Sequence, residues 1–243
     1  MSRMEYAEGF ENGPGGWCGW ISNFQGPKPL EFANGTITAR SPWWIDYNHA
    51  PPGAGYLHML ASLNTSGGQS EAQFEAAGLN RFIAGKYPTD FTNAKMTVRL
   101  KGELLKRGAE VVVLIQGHAQ GICSGWLLTG QPIQVARQWA EQTVTFDPDP
   151  EKWTALGSRH NRTDTYGVKP LKKVLANVDT NVMMVLFPLN VVPMGRIQGD
   201  PHILRAGHDY PVWRSKLPEG YVVFDEIRIR FPERPNRRKR PIK

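Results

Sequence analysis

The chain has 243 residues, 40% hydrophobic and 21% charged, which is enough apolar side chain for a sizeable core and excludes a disordered chain. Its 25 Gly and 19 Pro follow no three-residue period, which excludes collagen and points to many turns. The formal charge of +7 is uneven: residues 232–243 hold six Lys or Arg and one Glu, so the preceding 231 residues carry only +2, which argues against a broad nucleic-acid-binding face.

In chain order, Phe10-Glu11-Asn12-Gly13 and Trp17 open the chain, followed by the densest polar-aromatic segment, 41–58. There Trp43, Trp44, Asp46, Tyr47, His49, Tyr56 and His58 surround a Pro-Pro-Gly turn. Helix is expected over 70–79, with a single further turn over 137–142. Residues 95–101 alternate Met96, Val98 and Leu100 with Lys95, Thr97, Arg99 and Lys101, the period of a half-buried strand. Residues 109–116, a β-branched run apolar on both faces, and the similar run 182–187 read as central, buried strands. In the last run, 221–231, Val223, Asp225, Ile227 and Ile229 fall on one face and Glu226, Arg228 and Arg230 on the other. Short strands, frequent turns and little helix predict an all-β fold, a single antiparallel β-sandwich of the jelly-roll type with long loops. It spans 5–231 as one domain, with 232–243 as a basic, disordered tail.

No apolar run reaches the roughly 18 residues of a membrane helix, so no membrane partner is expected. The N-terminal dozen residues have no apolar stretch, and Cys18 and Cys123 are too few for a disulfide framework. A cytoplasmic chain is the expectation. Cys18, between Trp17 and Trp20, reads as a packed core thiol.

Four constellations carry candidate chemistry. In segment 41–58, Trp43, Trp44 and Tyr56 offer stacking faces for sugar rings, His58 a ligand contact, and His49 a base whose tautomer Asp46 fixes. At the end of the first buried strand, Gln116 and His118 share a face with Gln120, making His118 a second candidate base, and Trp126 a further stacking side chain. Arg159, His160 and Tyr166 stand in a polar loop, with Arg159 suited to clamping a carboxylate or phosphate and Tyr166 to donating a proton. Arg205 and His208 lie in a Gly- and Pro-rich stretch expected to arch over a groove.

The opening Phe10-Glu11-Asn12-Gly13 with Trp17, and the closing Val223-Phe224-Asp225-Glu226-Ile227-Arg228-Ile229, resemble the first and last strands of concanavalin A-like and laminin G-like jelly rolls and related carbohydrate-binding modules. The resemblance implies neighbouring terminal strands and a sheet carrying a ligand groove. It also implies a structural Ca²⁺ between those strands, with Glu8, Glu11 and Asp225 or Glu226 as candidate ligands, Glu11 and Asp225 foremost, and no other cofactor required. Gln116-Gly117-His118 is similar to the Gln-x-His strand of jelly-roll alginate lyases, whose Arg-rich first strand and Tyr-Phe-Lys-Ala-Gly strand are absent here. The sequence thus points to an enzyme acting by acid–base chemistry on a carbohydrate or glycoside, as lyase or hydrolase. The alternative is a lectin-like binding module without turnover. The expected partner is a small molecule or oligosaccharide; an oligomer stays open, and nucleic acid is expected only as non-specific contact with the tail.

Overall fold

The computed structural model describes residues 4–22, 25–46, 56–157, 165–189 and 215–233, without the side chains of Ser22 and Asp46. Its strands are β1 (Glu5–Glu8), β2 (Gly19–Ser22), β3 (Gly26–Lys28), β4 (Glu31–Ala33), β5 (Thr36–Arg40), β6 (Ile45–Asp46), β7 (Tyr56–Asn64), β8 (Lys95–Leu105), β9 (Glu110–Ala119), β10 (Ile122–Leu127), β11 (Ala140–Thr145), β12 (Thr154–Ala155), β13 (Asn181–Leu189) and β14 (Glu219–Arg230). Three short helices, α1 (Glu71–Ala77), α2 (Arg81–Ala84) and α3 (Leu171–Leu175), join them. The fold is an all-β antiparallel sandwich with little helix.

One sheet, the terminal sheet, runs β11-β8-β14-β5-β4, with β1 added beside β14. β14 pairs with β8 along one edge; along the other it meets β5 at Tyr221–Phe224 and β1 at Ile227–Arg230. The first and last strands therefore lie side by side. The other sheet, the hydrophobic sheet, runs β12-β10-β9-β13-β7-β6. β9 is buried from Val111 to Gly117 and β13 from Val182 to Phe187, as their unbroken apolar runs predict.

The alternation in β14 holds only in part. A bulge between Phe224 and Glu226 puts Val222, Phe224, Ile227 and Ile229 on the core face, so Val223 is not in register with Ile227. An extra residue in a strand reverses the parity beyond it. The helix expected over 70–79 forms as α1, where Ser70 and Gln73 make a reciprocal capping box. Residues 137–142 are not a helical turn: a bend at Arg137 and Gln138 leads into β11, whose register with β8 runs from Ala140 opposite Leu100 to Thr145 opposite Lys95. Only Val144 of this edge strand is buried, so its sequence carries no period-two signal.

Between the sheets the core gathers Tyr6, Trp17, Phe82, Phe91, Phe146, Phe224 and the inner-face residues of β9 and β13. Phe82 is the hub of its aromatic part, within 5.2 Å of Tyr6, 5.5 Å of Tyr87 and 6.1 Å of Phe91, centroid to centroid. The Trp17 indole N–H donates to the Tyr6 hydroxyl at 3.0 Å, so two large rings enter the core with their polar atoms satisfied. Cys18 is buried in a separate small cluster with Ala76 and Ala77 of α1, and burial pushes its thiol up to about 12, as suits an inert buried thiol. No helix among the described residues is long and apolar enough to cross a membrane.

Phe82→Ala should cost about 3–5 kcal/mol, the range for emptying a fully buried aromatic site. Phe74→Ala, on the exposed side of α1 at 57% exposure, should stay within about 0.5 kcal/mol. Urea unfolding followed by tryptophan fluorescence checks both.

Candidate functional site

The hydrophobic sheet has two apolar faces. Val111, Val113 and Ile115 of β9 point into the sandwich, while Val112 and Leu114 join Trp44, Leu57, Met59, Leu127, Leu156, Met183, Val185 and Phe187 in a second cluster on the outer face. Along β9 that outer face changes character, since the next residues of the same parity are Gln116 and His118. There the apolar run ends and a polar network begins.

His118 stands directly opposite Cys123 of β10, and Cys123 is bridged in parallel to Tyr166. Paired residues share a face, so Tyr166, Cys123 and His118 form one row across the sheet, with strands about 4.8 Å apart. On the other side of β9, Asn181 opposes Gln116, and the segment leading into β13 supplies Asp179. Asp179 Oδ1 accepts the His118 backbone N–H at 2.8 Å and lies 3.0 Å from His118 Nδ1. A carboxylate can only accept there, so Nδ1 carries the proton and Nε2 remains to exchange one with a ligand. Asn177 Nδ2 donates to Asp179 Oδ2 at 2.9 Å, and the Thr180 hydroxyl bridges toward Asp179 Oδ1 at 3.5 Å and Cys123 Sγ at 3.9 Å. Burial alone would push the Asp179 carboxyl up. The hydrogen bonds from the His118 backbone, the His118 ring and Asn177 outweigh it and hold the carboxyl below the usual range. The His118 side chain is 51% exposed, open enough for a substrate to reach.

A glycine makes this arrangement possible. A Cβ on Gly117 would stand 2.0 Å from the Asn177 carbonyl oxygen, so only a bare backbone lets the 177–178 segment close onto β9 and place Asp179 beneath His118.

The other predicted site residues lie elsewhere. Trp43 and Trp44 are 8% and 6% exposed and belong to the inner and outer apolar clusters respectively, so neither is an open stacking platform. Trp126 packs on the inner core, and its indole N–H donates to the Lys169 carbonyl at 3.0 Å. Tyr56 and His58 are not in a loop but begin β7, and Asp46 ends β6 opposite Leu57. His58 is aligned through Leu186 with Val111, at the far end of β9 from His118, about 20 Å away at the rise of a strand. Among the described residues, His58 and His118 therefore do not share one groove. His49, Arg159, His160, Arg205 and His208 lie outside the described residues, as does the tail beyond Glu233.

His58 forms a distinct environment. It is 1% exposed, its Nδ1 makes a long hydrogen bond of 3.5 Å to the Trp44 carbonyl, and its ring centroid is 5.7 Å from that of Trp43. Burial pushes its pKa down to about 4, with the backbone carbonyls of Trp44 and Trp43 opposing. The imidazole is neutral at physiological pH.

The residues present do not gather into the calcium site that the resemblance implies. Glu11 is exposed, and Asp225 is ion-paired with Arg99. The buried carboxylate beside the terminal strands is Glu8, and the Arg81 guanidinium answers it at 2.8 Å while also donating to the Asn12 carbonyl at 3.0 Å. Among the described residues no three His, Cys, Asp or Glu side chains stand close enough to hold a metal.

The network around His118 includes groups that sequence reasoning missed, chiefly Asp179 and Asn177. A signal for them exists: Asn177, Asp179 and Asn181 recur with period two just before the apolar run of β13. Compared with known proteins, the chain matches no family model, no curated protein and no solved structure.

Two outcomes follow from this geometry. Unfolded, His58 takes a proton near pH 6.5; folded, only near pH 4. Stability is therefore fully present above pH 6.5 and falls as pH drops through that window, by about 3 kcal/mol in all. Urea titrations across the window should show this drop, and His58→Gln should remove it. Gly117→Ala should cost about 2 kcal/mol or more. It should also abolish the Nδ1–H signature of His118 in ¹⁵N–¹H NMR spectra, because the 177–179 segment must retreat.

Proposed function

We propose that this chain is an acid–base enzyme acting on a carbohydrate or similarly hydroxylated small molecule. The observation that carries the reading is the His118–Asp179 pair, a half-exposed imidazole fixed in one tautomer by a carboxylate that is itself held from two sides. His118 Nε2 abstracts a proton from the substrate, and Asp179 orients the ring and stabilises the imidazolium that forms. Tyr166, two strand spacings away in the same row, stands about 10 Å off and donates a proton to the leaving group on the other side of a substrate. Gln116, on the same face, supplies a neutral hydrogen-bonding group for hydroxyl or carboxyl oxygens.

The bonded network holds one carboxylate, Asp179, and it is already occupied in orienting His118. Glycosidic hydrolysis by two carboxylates needs a second within about 5–10 Å. Proton transfer between His118 and Tyr166, as in an elimination, is the better match. The jelly-roll resemblance of the terminal strands adds weight to a carbohydrate substrate, but a fold alone does not name a reaction.

A binding module without turnover is the second reading. One observation favours it: the same His118–Asp179 pair pins the 177–180 segment against β9, a purely architectural role.

Incubating the full chain with a panel of neutral and acidic polysaccharides, with product detection by absorbance of new double bonds and by reducing ends, separates the two. The enzyme reading expects turnover that His118→Asn reduces by about 10²–10⁴-fold with an unchanged melting temperature. Asp179→Asn should lower kcat far more than it raises KM, the mark of a positioning residue. Saturable glycan binding with no product after prolonged incubation would establish the module instead.

A further inference from the structure

At the opposite end of the sandwich from His118, a cavity of about 560 Å³ opens between the two sheets. Ser41, Pro42 and Trp43 line one side, His58 the floor, and Arg107, Lys216 and Glu219 the rim. Its volume lies within the range of small-molecule sites.

Two polar atoms on its lining side chains, both buried, have no hydrogen-bond partner: His58 Nε2 and Trp43 Nε1. Buried polar atoms in native folds are nearly always paired, so each such orphan needs a cause. Their characters are complementary. Because His58 Nδ1 gives its proton to the Trp44 carbonyl, Nε2 is a bare lone pair, an acceptor. The Trp43 indole N–H is a donor only. One acceptor and one donor on adjacent rings form the counterpart of a hydroxyl group, which both gives and receives a hydrogen bond.

The rim adds charge. Arg107 is paired with Glu219 at 3.1 Å, so those two cancel. Lys216 is exposed and has no ion pair among the described residues, and it places a positive charge at the mouth. A lysine ammonium is a point charge that suits a carboxylate and a phosphate alike.

We propose that this cavity binds a small hydroxylated anion, with one hydroxyl placed between His58 Nε2 and the Trp43 indole N–H and the anionic group at Lys216. The site is separate from the acid–base row at His118, and it stands whether or not that row turns over a substrate. Because the ring of His58 stays neutral well below physiological pH, it serves as an acceptor, not as a second cation.

Tryptophan-fluorescence and calorimetric titrations of the full chain with gluconate, with glycerol 3-phosphate and with uncharged sorbitol test the proposal. Saturable binding of at least one anion, about tenfold or more tighter than sorbitol, is expected, and which anion prevails tells carboxylate from phosphate. Lys216→Gln, an exposed change that leaves the fold alone, should weaken the anion about fivefold to tenfold and leave sorbitol unaffected. Trp43→Phe keeps the ring, removes the N–H and should weaken all ligands, while His118→Asn should change none of these affinities. The proposal is overturned if neither anion saturates at millimolar concentration, if sorbitol binds as well as both anions, or if Lys216→Gln leaves anion affinity intact.

Discussion

Strands β9 and β13 are buried on both faces, and this constraint shapes everything else. One face closes the sandwich core, and the other is sealed by Trp44, Leu127, Leu156 and their neighbours. Among the described residues, the polar groups at this sheet gather at the strand ends, where the apolar run stops: the Gln116–His118 end and the Trp43–His58 end. Each is a place where the low-dielectric interior meets solvent, so fixed polar groups there act more strongly than they would on an open surface.

The polar groups of the molecule divide by how much water they keep. The outer face of the terminal sheet carries Arg228 with Glu141, Arg230 with Glu5 and Arg40 with Glu31, all partly or largely exposed. Pairs of this kind contribute little individually. They serve to keep that face wet. The buried groups are different. Glu8 is fully buried, and burial pushes its carboxyl up against the opposing Phe10 N–H and the Arg81 guanidinium. Removing Arg81 would leave an uncompensated buried charge, whereas removing an exposed pair would leave a hydrated one. Arg81 ties Glu8 Oε1 to the Asn12 carbonyl, while Glu8 Oε2 is buried without a hydrogen-bond partner.

The candidate site was half legible in the sequence. His118 and Gln116 announced themselves by parity at the end of an apolar run, and Tyr166 by its residue type in a polar loop. What the sequence did not show was that Asp179 orients the His118 imidazole. That partnership spans 61 positions and depends on the 177–178 backbone resting on Gly117. Nothing local encodes such a contact. In segment 41–58, Trp43, Trp44 and His58 read as an exposed cluster, whereas the structure buries all three. The strand β7 carries His58 inward, and the two tryptophans follow the apolar faces of the hydrophobic sheet.

By itself the sequence determined the class of the fold, the identity of the central strands and the polarity of their ends, because period and apolar run length are local properties that survive in any context. Tertiary structure alone decided register and partnership. The bulge beside Asp225 reversed the parity of β14, β11 became a strand only by pairing with β8, and the two histidine environments were placed about 20 Å apart on one sheet. Those outcomes rest on hydrogen bonds between residues remote in the chain, whose energies depend on which backbone arrives alongside and not on the residues' own preferences.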